Sequence, residues 1–213
     1  MGVPVLVLGA SGSGKSCSLR NFLPTEVGIF NVASKPLPFQ KKLPLFNTSS
    51  YADIIKVLVE NKRRCYVIDD SQYLMAFYMF AHAKEKGYDK FTNCAVDFQN
   101  LLQTAILRTT NDTLIYYLHH IDMDDYGHIK AKTQGRMLDN QLCLEGLFSI
   151  VLLAETDGKE HWFTTQSNGM NPAKSPMGMF PTVKIDNDLK AVDTDIRKYW
   201  SFNSKEDKNN EKT

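Results

Sequence analysis

Short apolar runs recur along the chain and alternate with stretches that carry apolar residues at helical spacing. The runs predict five buried strands, at residues 3–8, 27–32, 65–68, 113–118 and 148–154. Residues 161–165 alternate polar and apolar side chains, so we expect them to pair with the fifth strand after the Asp157-Gly158 turn. The Pro- and Lys-rich residues 35–44 predict a loop, and residues 122–133 predict either a hairpin or a mobile loop.

The segments between the strands predict helices. The clearest stripe, at i, i+3, i+4, i+7 and i+8, consists of Phe98, Leu101, Leu102, Ala105 and Ile106. A capping box beginning at Ser50 predicts another helix, and others are expected at residues 15–22, 71–84, 137–144 and 189–200. This alternation predicts an α/β fold, with a mostly parallel sheet covered by helices on both faces. We expect one domain over residues 1–203 and a disordered polar tail at 204–213.

Polar residues follow three of the predicted strands directly. A glycine-rich segment follows the first, Asp69 and Asp70 end the third, and His119 and His120 follow the fourth. In parallel sheets, ligands bind beyond the carboxyl ends of the strands. We therefore expect these three groups to line one edge of the sheet.

The glycine-rich segment matches the phosphate-binding pattern Gly-x4-Gly-Lys-Ser. Glycines let backbone N–H groups turn inward around phosphate oxygens, and the helix that follows points its positive end at the same place. Lys15 would supply charge to the β- and γ-phosphates of ATP, and the Ser16 hydroxyl would bind Mg²⁺. The expected nucleotide-binding residues are Gly9, Ser11, Gly12, Ser13, Gly14, Lys15, Ser16 and Cys17. A glycine-rich turn with a chance Lys-Ser pair is the alternative.

The two aspartates suit the chemistry of a bound triphosphate. Asp69 is expected to bind Mg²⁺ directly or through a water, and Asp70 to polarise a water aimed at the γ-phosphate. The alternative is a helix N-cap at Asp70 with Asp69 in solvent. If the fourth strand lies between the strands of the loop and the acids, one histidine reaches the γ-phosphate; because side chains alternate faces, we favour His120.

Basic residues later in the chain are candidates to complete the charge stabilisation. Lys174, whose loop Pro172 and Pro176 would stiffen, is the preferred residue to act from a neighbouring subunit, and Arg136 is the other. A solvated loop position is the alternative for each. Residues 126–136 are also candidates for a DNA-contacting loop, through Lys130, Lys132, Gln134 and Arg136, or for a solvated hairpin.

Overall composition limits the function classes. Basic and acidic residues number 25 and 24, giving a net charge of +1, so there is no global basic excess of the kind that marks many nucleic-acid-binding proteins. The four cysteines form no Cys-x-x-Cys pair, which favours free thiols in a reducing cytosol over a zinc site. No apolar run approaches the length of a membrane span, so we expect no membrane partner.

These motifs make the chain similar to a known class of ATPases. The resemblance is carried by residues 3–16, 67–70, 118–120 and 164–180, and it covers most of residues 1–200. On these stretches the chain resembles the additional-strand class of P-loop ATPases, which includes RecA-like and AAA+ proteins. Within that class it resembles the small phage-encoded RecA-like ATPases, also called phage AAA-family nucleotide-binding proteins. The resemblance implies a three-layer P-loop NTPase with a RecA-like sheet.

The resemblance also implies an activity and partners. It implies an ATP-hydrolysing protein that binds single-stranded DNA in phage replication or recombination, including strand annealing, in the cytoplasm of a bacterial host. It implies a homo-oligomer, either a ring or a filament, with ATP between subunits. One departure concerns the catalytic Glu that RecA-like proteins often carry after the second strand, because residues 33–35 hold no acid here. Asp70 must then serve, or hydrolysis is slow.

Two other functions remain open. The first is a nucleotide-dependent binding module, such as a helicase loader, with little turnover. The second is a small-molecule kinase, which usually needs an arginine-rich lid and an acceptor pocket; Arg63, Arg64 and Arg136 are the candidates for such a lid.

Overall fold

The computed structural model describes residues 1–134 and 143–202. Nine strands are present in this part: β1 (Val3–Gly9), β2 (Gly28–Asn31), β3 (Leu45–Asn47), β4 (Cys65–Asp69), β5 (Leu114–Met123), β6 (Ile129–Ala131), β7 (Ile150–Thr156), β8 (His161–Thr164) and β9 (Lys184–Asp186). Four α-helices accompany them: α1 (Tyr51–Glu60), α2 (Gln72–Ala81), α3 (Asp89–Leu107) and α4 (Leu189–Tyr199). Two 3₁₀ helices cover Ser16–Asn21 and Leu144–Leu147. The expected tail at 204–213, Arg136 and nearly all of the expected helix at 137–144 lie outside the described residues.

The strands form one mixed, mostly parallel sheet. Its order is β3-β2-β4-β5-β1-β7-β8-β9, in which neighbours from β3 to β7 are parallel and β8 and β9 are antiparallel. The predicted α/β class with a mostly parallel sheet is confirmed. β5 lies between β1 and β4, so Gly9 is level with His120 on one side and Ala154 on the other. The carboxyl ends of the central strands therefore meet at one edge.

Helices pack on both faces of the sheet because the central strands are apolar on both faces. Along β1, Leu6 and Leu8 join a core with α1, α2 and α3, whereas Val5 and Val7 join a second core with α4 and the first 3₁₀ helix. All four side chains are fully buried. This near-continuous burial is what a parallel strand covered on both faces requires.

Three local features differ from the sequence-based expectations. The helix expected at residues 15–22 is only the six-residue 3₁₀ helix, because Ser, Cys and Asn are poor helix formers and Pro24 follows closely. A helix of that length contributes much less dipole than the expected one. β5 continues through His119 and His120 into a hairpin with β6, so both histidines lie within the strand. The short strands β3 and β9 were not predicted, since three residues carry no readable period.

No helix within residues 1–134 and 143–202 is both long and apolar enough to span a membrane.

Candidate functional site

The loop between β1 and the first 3₁₀ helix is built on glycine. Gly12 and Gly14 have φ values of +81° and +92°, which residues with a side chain rarely adopt. A Cβ on Gly9 would lie 2.3 Å from Ser13 Oγ and 2.9 Å from the carbonyl oxygen of Ala154. The loop therefore folds back tightly over the end of β1 and its neighbour β7.

Lys15 is buried inside this loop. Its Nζ donates hydrogen bonds to the carbonyl oxygens of Gly9 and Ala10, each at 2.8 Å. Burial lowers the pKa of Lys15 to about 8, although Asp70 and Asp69 act to raise it. Among the described residues, the hydrogen-bond partners of this ammonium are neutral carbonyl groups. An anion that entered the loop would therefore meet a positive charge already in position.

Ser16, at the start of the first 3₁₀ helix, and Asp69, at the end of β4, are brought together. The Ser16 hydroxyl donates to Asp69 Oδ1 at 2.8 Å. Asp69 is buried, and that burial raises the pKa of its carboxyl to about 6, against the Ser16 hydrogen bond and the nearby Lys35 and Lys15 charges. Both groups offer the hard oxygen atoms that Mg²⁺ prefers.

Ser16 and Asp69 suit a Mg²⁺ ion that is bound jointly by the protein and a phosphate ligand. Mg²⁺ is usually held by one or two protein oxygens together with phosphate oxygens and waters. Within the described residues, no cluster of three or more His, Cys, Asp or Glu side chains is close enough to hold a metal ion. Ser16 and Asp69 therefore suit a cation that arrives with a phosphate ligand.

Asp70 has both carboxylate oxygens engaged. Lys35 Nζ lies 2.5 Å from Oδ2, and His120 Nε2 lies 3.1 Å from Oδ1. Burial acts to raise the pKa of this carboxyl, but the hydrogen bonds from His120 and Lys35 outweigh it, and the pKa is lowered. The residue has a φ of +60°, and Ser71, not Asp70, is the N-cap of α2. The alternative of a helix cap at Asp70 is therefore wrong.

Lys35 is a site residue that the sequence reasoning did not identify. It follows β2, directly after Ser34, and its side chain is 60% exposed. Its pairing with Asp70 places a cation at the edge of the cavity. Its position after a parallel strand is the sequence feature that would have identified Lys35 as a candidate. Polar residues that follow parallel strands lie at one edge of the sheet, and this applies to β2 as it does to β1 and β4.

The two histidines take different positions. His119 is fully buried; its Nδ1 lies 2.9 Å from Ser71 Oγ and its Nε2 lies 2.8 Å from the carbonyl oxygen of Lys132. Burial lowers its pKa to about 4, so it is neutral, donates from Nε2 and accepts at Nδ1. His120 points to the opposite face and contacts Asp70, and its ring makes a T-shaped contact with the ring of Tyr73.

These groups surround a cavity of about 350 Å³. Its lining consists of Ser11, Gly12, Gly14, Lys15, Ser16, Cys17, Lys35, Pro38, Asp70, His120 and His161. His161, the first residue of β8, was not predicted; it reaches the loop only because β8 folds back antiparallel to β7, and its ring would lie 2.9 Å from a Cβ on Gly14. Gly9, Ser13 and Asp69 lie behind the lining and support it.

Lys174 lies away from this cavity. Its backbone exchanges two hydrogen bonds with Val151, which lies beside Leu6 in β1, three residues before Gly9. In its own subunit Lys174 is therefore at mid-sheet, and any contact with the cavity would have to come from a neighbouring subunit. The other candidate, Arg136, lies outside the described residues.

A larger cavity, of about 760 Å³, lies at the opposite end of the sheet. Two of its cations are paired with carboxylates, Lys190 with Glu26 and Arg197 with Asp193. It contains no glycine-rich loop, and the candidate chemistry lies at the other edge. No protein-family model matches the chain, and no curated protein matches it.

Proposed function

We propose that this protein is a P-loop NTPase that binds ATP with Mg²⁺ and hydrolyses it slowly. The observation that carries the proposal is the 2.8 Å hydrogen bond between Ser16, at the end of the Gly9–Ser16 loop, and Asp69, at the end of β4. A phosphate-binding loop and a carboxylate at a strand end can bind the same Mg²⁺-nucleotide only when they lie close together. In the order β2-β4-β5-β1-β7, β5 is inserted between β1, which leads into the loop, and β4, which carries the acids. This order supports assignment of the protein to the additional-strand class.

Each residue of the loop has a role in binding. Backbone N–H groups around Gly12 and Gly14 would cradle phosphate oxygens, and Lys15 would exchange its two carbonyl partners for the β- and γ-phosphates. Ser16 and Asp69 would hold Mg²⁺, which when bound neutralises charge on the phosphates. Cys17 lines the same cavity and would lie beside the α-phosphate end of the nucleotide.

Hydrolysis requires a water oxygen to attack the γ-phosphorus while the bond from that phosphorus to the bridging β–γ oxygen breaks. Asp70 would accept a hydrogen bond from the attacking water, with His120 fixing the carboxylate through the 3.1 Å contact. The proton passes to solvent with the released phosphate. Because both Asp70 oxygens are occupied without nucleotide, turnover is expected to be slow.

The partners follow from the resemblance to phage RecA-like ATPases. We propose that the protein forms a ring or filament in which Lys174 or Arg136 of one subunit reaches the nucleotide of the next, and that the assembly binds single-stranded DNA. Lys130 and Lys132 of the β5–β6 hairpin are candidate DNA contacts. Asp122, which lies opposite Lys130 in the hairpin, offsets part of that charge.

A nucleotide-dependent binding module with little turnover is the second candidate. It is favoured by the observation that Lys35 and His120 together occupy Asp70. Both candidates require nucleotide binding, and the rate of phosphate release distinguishes them. Phosphate transfer to a nucleoside monophosphate would instead identify a kinase.

The decisive experiment for both is nucleotide binding measured by calorimetry with Mg²⁺. The wild-type protein should bind ATP, and Lys15→Ala should lose binding. Lys42→Ala is the matched control, because Lys42 is an exposed lysine outside the cavity lining. If Lys15→Ala binds ATP as the control does, the proposal is wrong.

Partner binding is tested separately. Phosphate release should rise when single-stranded DNA is added at low salt, where electrostatic binding is strongest. The mass in solution should increase with ATP and DNA together. An unchanged mass and rate would remove the DNA-dependent assembly and leave only the nucleotide site.

A further inference from the structure

We infer that Lys35 is the residue that contacts the γ-phosphate and makes this site prefer a nucleoside triphosphate over a diphosphate. Its ion pair with Asp70 is then a contact that the γ-phosphate breaks. The inference rests on the proposed function, since it assigns a further role within the same cavity.

The backbone of Lys35 is fixed, whereas its side chain is largely exposed. Asn31, buried at the end of β2, holds this backbone on both sides: its Nδ2 donates to the Lys35 carbonyl oxygen at 2.7 Å, and its Oδ1 accepts from the Lys35 N–H at 3.2 Å. Ser34, just before, has a φ of +53° that turns the chain. Beyond this anchor, the side chain is 60% exposed and lines the cavity.

Charge balance in the cavity points to a new partner for Lys35. Asp70 and a γ-phosphate would be two anions in a cavity of about 350 Å³, and like charges at that range repel each other. A cation that contacts the γ-phosphate offsets this repulsion. Lys35 is already in place, with Nζ 2.5 Å from Asp70 and 5.8 Å from the centre of the Tyr73 ring.

Lys15 is less suited to this position. Its Nζ is held within the loop by the carbonyl oxygens of Gly9 and Ala10. Under the proposed function it would contact the β-phosphate as well as the γ-phosphate. Any diphosphate would engage Lys15, so Lys15 cannot by itself distinguish ATP from ADP. Lys35 approaches from β2, beside Asp70, where only the third phosphate would lie.

The movement of Lys35 also changes Asp70. When Nζ turns to the γ-phosphate, Oδ2 of Asp70 loses its partner and becomes available to accept a hydrogen bond from a water. His120 keeps its contact with Oδ1, so the carboxylate stays in place. ADP has no third phosphate and would leave the Lys35–Asp70 pair closed.

Calorimetry with Mg²⁺-ADP and a non-hydrolysable Mg²⁺-ATP analogue tests the inference. Lys35→Ala should lower the affinity for the ATP analogue about tenfold or more, as expected for a lost hydrogen bond between charged groups, and leave the affinity for ADP within about twofold. Lys35→Arg should retain most of the preference, and Lys42→Ala all of it. Asp70→Asn should raise the affinity for the ATP analogue, since it frees Lys35 and removes a negative charge.

The outcomes separate the inference from the proposed function. If the wild-type protein binds neither nucleotide, the proposed function fails and the inference fails with it. If the wild-type protein binds both, and Lys35→Ala keeps the same ratio of affinities or weakens both equally, only the inference is overturned. Thermal unfolding of each variant confirms that the comparison is between folded proteins.

Discussion

His119 should make the fold sensitive to acid. It is fully buried beneath the site, on the strand that also carries His120, and burial lowers its pKa from the ordinary histidine value of 6.5 to about 4. Unfolding exposes the imidazole and restores the ordinary value. Because the unfolded chain then binds a proton that the folded protein excludes, stability is complete above about pH 6.5 and declines as the pH falls towards 4.

The size of the effect follows from the two pKa values. One pKa unit corresponds to about 1.4 kcal/mol, so the gap between 6.5 and about 4 corresponds to a loss of about 3 kcal/mol once the pH is below both values. By pH 5 the loss should be about 2 kcal/mol. Burial is the largest cause of the shift, and the smaller causes act in opposite directions. The Lys132 carbonyl, which accepts from Nε2, raises the pKa, whereas the charges of His120 and Lys15 lower it.

Urea unfolding at pH 7 and pH 5 measures this loss. His119→Gln keeps a polar side chain but cannot titrate, so its stability should fall by about 2 kcal/mol less than that of the wild-type protein over this pH range. His128→Gln is the control, because the His128 side chain is 50% exposed in the β5–β6 hairpin. If the wild-type protein and His119→Gln lose the same free energy of unfolding, the buried neutral His119 is refuted as the source.

Three other changes test parts of the structure. Gly9→Ala should lower the free energy of unfolding by about 1–3 kcal/mol, because its Cβ would lie 2.9 Å from the Ala154 carbonyl oxygen, and an unchanged melting temperature would contradict this close approach. Asp193→Ala should cost about 3 kcal/mol in urea unfolding, because it leaves the Arg197 guanidinium half-buried without its carboxylate; a loss below 1 kcal/mol would contradict that role. Ser50→Ala should cost about 1 kcal/mol, since Ser50 caps α1, and no loss would show that the cap is dispensable.

The amino-acid sequence was sufficient for the placement of the main strands. The strands at β1, β4 and β7 are apolar because both faces are covered, and a run of apolar residues that ends abruptly in polar ones can be recognised without knowing its neighbours. The same reasoning predicted that the loop, the acids and the histidines would share one sheet edge, because parallel strands end together. The Ser16–Asp69 contact follows from that rule.

Other features of the site could be known only from the strand register and from the conformations of the loops. Only the register of β5 against β4, in which Tyr117 lies beside Ile68, fixes which histidine lies at Asp70, because a shift of one residue would exchange the two faces. His161 reaches the site through the antiparallel return of β8, which brings distant positions together.

Sequence alone therefore determined the fold class, the Gly-x4-Gly-Lys-Ser pattern and the sheet edge that carries the candidate site residues. Each of these depends on local apolar periodicity and on residue type. The tertiary structure decided which side chains are paired at that edge. The ion pair of Lys35 with Asp70 is the clearest case: the strand-end rule places Lys35 at that edge, but its pairing depends on how the irregular loop after β2 turns at Ser34 and is held by Asn31.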